Sequence, residues 1–180
     1  DPEHHQSEKV TYLAHRAWRR GADWILPFDA DEFFFARGRS VAELLRSTSA
    51  TVVHAGFHHM VPTSAGGEIG PNTTFLIDST SASPGKVAAR SHPLLEIIPG
   101  NHAATRVGPV TTGLHIAHAQ YRSRAQVARK FRGGMAASAP GSATMPGTHW
   151  IKGGSLSDSQ LDEVWSHVVA GRPEPRIDFA

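Results

Sequence analysis

Three carboxylates lie within four consecutive positions of the sequence, directly after the short apolar run "WILPF" at residues 24–28. They are Asp29, Asp31 and Glu32. Acidic side chains are seldom buried without a compensating positive charge, and neighbouring carboxylates repel one another. In an extended strand end, Asp29 and Asp31 point to the same side. The pattern therefore predicts that they hold Mg²⁺ or Mn²⁺, hard cations that commonly share their ligand shell with substrate phosphates.

The same three residues also have a purely structural interpretation. Asp29 and Asp31 could cap the following turn, with Glu32 as a solvated neighbour. The position favours chemistry, because ligand sites in open α/β sheets lie beyond the carboxyl ends of strands. Glu32 either orients the two aspartates or is structural, and both interpretations stay open.

Other polar side chains are candidates for proton transfer and for phosphate binding. His102 lies in a predicted turn, where an exposed imidazole can accept the proton of an acceptor hydroxyl or contact a phosphate. Basic side chains can neutralise diphosphate oxygens, arginine as a fork and lysine as a point charge. The candidates for this role are Lys86, Arg90, Arg122 and Lys130.

Composition limits the class of protein. The chain has 180 residues, of which 39% are hydrophobic and 19% charged, and its formal net charge is +2. This length predicts a single domain over residues 1–180, and the weak net charge disfavours nucleic acid as a partner. Cysteine is absent, which excludes disulfides and thiolate metal sites and favours a cytoplasmic location. No apolar run approaches the ~20 residues of a membrane span.

Helical and strand-like segments alternate along the chain. A first helix is predicted from an Asp1 N-cap and Pro2 to a stop at Gly21, with one apolar face made of Val10, Leu13, Ala14, Ala17 and Trp18. Capping boxes predict three more helices, beginning at Ser40, Ser123 and Ser157. Strands are predicted at residues 24–28, 51–61, 74–77, 86–89, 94–98 and 114–119. The expected fold is α/β, a mixed sheet flanked by helices, with a mobile glycine-rich loop at 135–155.

Four segments, in this order, resemble a known family. They are "GADWILPFDADEFF" at 21–34, "KVAAR" at 86–90, "GNH" at 100–102 and "HAQYRSRAQVARKFRGG" at 118–134. The sequence is similar to family-2-like glycosyltransferases with the GT-A fold, in particular a bacterial subgroup, over residues 10–170. The family's first strand–helix–strand unit, which cradles the nucleotide base, has no counterpart here. The resemblance therefore implies a GT-A domain that is incomplete at its N-terminus.

The resemblance also implies an activity and a set of roles. The expected reaction moves a sugar from a nucleotide-sugar donor to a glycan or other hydroxyl acceptor, with inversion. Asp31 would ligate the Mg²⁺ or Mn²⁺ that bridges the diphosphate, with Asp29 near the ribose or sharing the metal, and His118 as a further ligand. Inverting enzymes of this fold usually use a carboxylate base, which makes Glu96 and Asp78 candidates beside His102.

Two other functions stay open at this point. One is a metal-dependent phosphoryl-transfer enzyme that uses the same Asp-x-Asp chemistry. The other is a non-catalytic glycan-binding remnant, because a chain without the nucleotide-binding unit could be inactive as a fragment. Metal binding that depends on a nucleotide distinguishes an enzyme from the remnant.

Overall fold

The computed structural model describes residues 6–63, 73–137 and 153–170. Within these ranges the chain is a mixed α/β protein with four α-helices and six β-strands, which confirms the predicted class. The helices are α1 (Gln6–Arg19), α2 (Val41–Ser47), α3 (Arg124–Ala137) and α4 (Asp158–Val169). The strands are β1 (Trp24–Ile25), β2 (Glu32–Ala36), β3 (Val52–Pro62), β4 (Phe75–Ile77), β5 (Ala82–Arg90) and β6 (Val110–His118). No helix in the described ranges is both long enough and apolar enough to cross a membrane.

The sheet is mostly antiparallel. Five strands are hydrogen-bonded in the order β1-β5-β3-β6-β2, and β4 pairs with the end of β3. The β3–β6 pair is parallel, whereas the other described pairs are antiparallel. Consecutive strands β1 and β2 therefore lie at opposite ends of that order. The connection at residues 26–31, which carries two of the three clustered carboxylates, crosses a face of the sheet.

The described residues form two compact units, each with its own core. The first unit contains residues 6–59 and 78–118, and its sheet is covered on both faces. Val53 and Ala88 pack with α2 on one face, whereas Val52 and Val87 pack with α1 on the other. We call these the α2 face and the α1 face. The second unit contains residues 60–63, 73–77, 119–137 and 153–170, where α3 packs against α4.

The capping boxes locate the helix starts well. Both reciprocal hydrogen bonds of the box form at Ser40 and at Ser157, which confirms the predicted N-caps of α2 and α4. At α3, Ser123 Oγ accepts the Gln126 N–H at 3.2 Å, but the Gln126 side chain accepts from the Arg122 N–H instead of returning to Ser123. The predicted Asp1 cap and Pro2 lie outside the described residues.

Three segments differ from the sequence-based expectation. The predicted strand at 24–28 pairs only over Trp24–Ile25, because Pro27 has no N–H to donate, and Phe28 is 64% exposed. The predicted strand at 94–98 is a turn followed by an isolated bridge between Ile97 and Ala104. Of the predicted loop at 135–155, residues 135–137 end helix α3, and residues 138–152 lie outside the described ranges.

Hydroxyl and imidazole side chains of α1 form hydrogen bonds with residues 95–97, in the segment where a strand was predicted. Thr11 Oγ1 accepts the Ile97 N–H at 2.9 Å, and His15 Nε2 donates to the Leu95 carbonyl at 2.7 Å. Ser7 Oγ donates to the Ile97 carbonyl. The polar side of α1 therefore faces the protein, satisfying backbone groups that a neighbouring strand would otherwise pair.

The predicted apolar face of α1 is consequently wrong in part. Ala14 is buried, but Leu13 is 57% exposed and Trp18 is 39% exposed. The helix is rotated so that Ala14 packs on the sheet and the hydroxyl side chains meet the segment around Ile97, which leaves Leu13 on the outer side.

We predict that Thr11→Val destabilises the protein by about 1–3 kcal/mol, because it leaves the Ile97 N–H without its acceptor while keeping the side-chain shape. Urea unfolding measures the change. Thr112→Val at an exposed position of β6 is the control, and its effect should stay within about 0.5 kcal/mol. Equal effects of both substitutions would contradict the role assigned to Thr11.

Candidate functional site

The Asp-x-Asp segment is a turn, not the extended strand end that the sequence suggested. The Glu32 N–H donates to the Asp29 carbonyl at 3.0 Å, and the Asp29 N–H donates to Glu32 Oε2 at 2.9 Å. Asp29 and Asp31 therefore do not alternate as strand residues, because residues 29–31 precede β2 and form a turn. Asp29 and Asp31 are instead directed to different partners.

A buried lysine neutralises two of the three carboxylates. Lys86 Nζ lies 2.7 Å from Asp29 Oδ2 and 3.1 Å from Glu32 Oε1. The Lys86 side chain is 3% exposed and that of Glu32 is 2% exposed, whereas that of Asp29 is 50% exposed. Burial raises the pKa of the Glu32 carboxyl, although its hydrogen bonds with the Asp29 backbone and with Lys86 act in the opposite direction. Glu32 is thus a structural and orienting residue, and not a solvated neighbour.

The third carboxylate faces a histidine. His118 Nε2 lies 3.7 Å from Asp31 Oδ2, and both side chains are mostly buried, with 15% and 18% exposed. β2 and β6 create this approach, since Glu32 is paired with His118 in the antiparallel register. The Phe57 and His59 rings lie 5.1 Å and 5.7 Å from the His118 ring, and burial lowers the pKa of His59.

The donor set of this pair fits a divalent cation only in part. Among the residues that the structure describes, no three His, Asp or Glu side chains converge on one point. Asp31 and His118 nevertheless offer a carboxylate oxygen and an imidazole nitrogen that are 3.7 Å apart. Mg²⁺ and Mn²⁺ sites in phosphate-binding proteins commonly have one or two protein ligands, with the substrate phosphates and water supplying the rest. Two protein donors are therefore sufficient for a cation that arrives with a diphosphate, and an imidazole favours Mn²⁺ over Mg²⁺.

The structure does not bring two of the predicted base candidates, Glu96 and His102, to this cluster. Glu32, Lys86 and His118 share the α2 face with the core residues of their strands, by strand alternation. Glu96 is an exposed residue of the segment that packs on the α1 face. His102 Nδ1 donates to the Gly85 carbonyl at 2.6 Å and follows the same segment. Their roles in proton transfer stay predictions from sequence.

The four basic residues predicted to bind a diphosphate do not lie in one place. Lys86 belongs to the carboxylate cluster, whereas Arg90 donates to the Thr48 carbonyl at 2.7 Å and lies 4.7 Å from the Trp24 ring centre. Arg90 therefore closes the C-terminal end of α2. Arg122 and Lys130 belong to the second unit, and their role in diphosphate binding stays a prediction.

A pair of histidines on β3 and β6 forms a second polar arrangement. His58 Nδ1 lies 2.8 Å from the Asp78 carbonyl, and His58 Nε2 lies 2.8 Å from His115 Nδ1. A carbonyl only accepts, so neutral His58 carries its hydrogen on Nδ1 and accepts from the His115 Nδ1–H. The Phe35 ring stacks on His115 at 5.2 Å. His115 and His118, three residues apart on β6, face opposite sides of the strand.

Little in the sequence indicated that Lys86 contacts the clustered carboxylates. Lys86 and the carboxylates are 57 and 54 positions apart, and only the strand order brings them together. Comparisons with protein-family models, with curated proteins and with solved structures returned no match for this chain.

We predict that Lys86→Met destabilises the protein by about 3 kcal/mol or more, because it leaves the Glu32 carboxylate buried without its counter-ion. Adding Glu32→Gln should recover part of this loss, since the remaining side chain is uncharged. The deficit of Lys86→Met should also shrink in acid, where the Glu32 carboxyl, whose pKa is already raised, becomes protonated. Urea unfolding of the single and double variants measures all three. An additive double variant would contradict the ion pair.

We predict that wild-type stability falls more steeply in acid than the stability of His115→Gln. Burial first, and then His58 and Arg37, lower the pKa of His115 below its ordinary value of 6.5. Between the two pKa values the unfolded chain binds a proton that the folded chain lacks. The contribution of neutral His115 is therefore complete above pH 6.5 and is lost as the pH falls.

Urea unfolding between about pH 7.5 and pH 5 measures this difference, which is at most about 1.4 kcal/mol per pH unit for one proton. Glutamine is chosen because its amide N–H can still donate to His58. The exposed His54→Gln on β3 is the matched control and should follow the wild type. Parallel curves for wild type and His115→Gln would be the contrary result.

Proposed function

We propose that this chain is part of a GT-A glycosyltransferase that moves a sugar from a nucleotide-sugar donor to a hydroxyl acceptor, with inversion. The observation that carries the proposal is the Asp31–His118 pair on the α2 face. It offers one carboxylate and one imidazole beside a carboxylate cluster that Lys86 has already neutralised. Four motifs in family order, stated above, give the same assignment from the sequence.

The chain's own residues divide the work at this site. Lys86 holds Asp29 and Glu32 in the turn, so that the turn presents Asp31 on the side of His118. Asp31 and His118 would hold Mn²⁺ or Mg²⁺, with Mn²⁺ favoured by the imidazole. When bound, the cation would neutralise negative charge on the nucleoside-diphosphate leaving group. Asp29 is half exposed and positions the turn through its bond to Lys86.

One specific observation favours a second candidate, the non-catalytic remnant. The Lys86 ammonium already satisfies Asp29 and Glu32 without any metal, so the fold does not require a cation at these two residues. In that case Asp31 and His118 would be a mostly buried pair with a structural role only. Nucleotide-dependent metal binding separates the two candidates.

We predict that Mn²⁺ binds the wild-type chain more tightly in the presence of UDP or GDP, and that Asp31→Asn weakens this binding by at least about tenfold. Calorimetric titration of Mn²⁺ with and without each nucleotide measures both quantities. Asp23→Asn, an exposed aspartate of the same unit, is the matched control and should bind like the wild type.

His118→Gln should reduce the preference for Mn²⁺ over Mg²⁺, because the amide oxygen that replaces the imidazole is the harder donor. Equal binding by Asp31→Asn and Asp23→Asn would contradict the proposed site. Absence of nucleotide-dependent binding in the wild type would favour the non-catalytic candidate.

A further inference from the structure

The outer side of α1 combines exposed apolar and basic side chains. Tyr12 is 56% exposed and Leu13 is 57% exposed. Arg16, Arg19 and Arg20 are exposed on the same side, at spacings of three and four residues from the apolar pair and from one another. We call these five residues the outer face of α1, including Arg20, which directly follows the last helical residue. Ala14, which is buried in the core of the α1 face, lies on the opposite side of the helix.

The charge of this face is of one sign and is not neutralised locally. Between residues 6 and 20 the sequence has four basic side chains and one acidic side chain, in a chain whose net charge is only +2. No carboxylate within the described ranges forms an ion pair with Arg16, Arg19 or Arg20. The Arg16 guanidinium lies 5.8 Å from the centre of the Tyr12 ring, which keeps both groups on the surface.

A shallow hollow of about 570 Å³ adjoins the C-terminal end of this face. It is lined by Leu13, Arg16, Ala17, Arg20, Gly21 and Ala22. Two guanidinium groups one helical turn apart therefore border a floor of small and apolar residues. Arginine forks are suited to phosphate oxygens, and the apolar floor is suited to hydrocarbon.

We propose that the outer face of α1 binds the surface of a bilayer that contains anionic lipids, with the helix parallel to the membrane plane. Arg16, Arg19 and Arg20 contact lipid phosphates, and Leu13 and the Tyr12 ring enter the boundary between headgroups and acyl chains. Charge complementarity alone would also suit a nucleic acid. The exposed Leu13 decides for the bilayer, because a phosphate backbone offers no apolar surface to cover it, whereas a bilayer does.

The experiment measures co-sedimentation of the full chain with two kinds of vesicle, one of phosphatidylcholine alone and one of equal parts phosphatidylglycerol and phosphatidylcholine. Binding is expected to the anionic vesicles and not to the neutral ones. It should weaken strongly in about 1 M salt, where the Debye length is about 3 Å. Each arginine is expected to change the partition coefficient by about fivefold.

The Arg16→Gln/Arg20→Gln variant should therefore bind about 25-fold more weakly, and Leu13→Ser severalfold more weakly than the wild type. Arg46→Gln/Arg129→Gln removes the same charge from exposed positions on α2 and α3 and is the matched control. Circular dichroism confirms that each variant is folded. An equal loss in the control would overturn the proposal, since only net charge would matter. Failure to bind anionic vesicles, or tighter binding to a short DNA duplex with no effect of Leu13→Ser, would also overturn it.

Discussion

The burial of the Lys86 ammonium constrains the whole α2 face of the sheet. A lysine that is 3% exposed requires counter-charges within contact distance, and Asp29 and Glu32 supply them. Lys86 belongs to β5, the second strand in the order β1-β5-β3-β6-β2. Glu32 begins β2, the last strand in that order. The ion pair can form only because the connection from β1 to β2 crosses the face of the sheet. The path of the chain and the position of the charge thus depend on each other.

This constraint gives the three clustered carboxylates different properties. Glu32 is buried and bonded to both Lys86 and the Asp29 backbone, so its oxygens are committed to the fold. Asp29 shares the lysine but remains half exposed. Asp31 faces His118, where a carboxylate oxygen and an imidazole nitrogen are 3.7 Å apart. The proposed cation site is assigned to Asp31 because of this contact with His118.

Sequence patterns predicted the helix starts and strand positions that depend on interactions between residues close in sequence. The capping boxes placed the starts of α2 and α4, and apolar patterns placed most of β3 and the C-terminal parts of β5 and β6, because caps and strand alternation depend on neighbours in sequence. The Lys86 ion pair and the His58–His115 contact were not predictable, since they depend on which strands are adjacent. The rotation of α1 was mispredicted for a related reason. Its hydroxyl groups form hydrogen bonds with the segment around Ile97, which is distant in sequence. These hydrogen bonds outweigh the stabilisation that burial of Leu13 would give.

The most direct test of the account is a pulsed electron paramagnetic resonance measurement on Mn²⁺ bound to the chain with a nucleoside diphosphate. This method detects nuclei close to the metal. If Asp31 and His118 hold the metal, couplings to the diphosphate phosphorus and to an imidazole nitrogen are expected. The nitrogen coupling should be lost in His118→Gln and kept in His59→Gln, although both rings lie on the same face. A phosphorus coupling without any nitrogen coupling, or a nitrogen coupling unchanged in His118→Gln, would contradict the Asp31–His118 site.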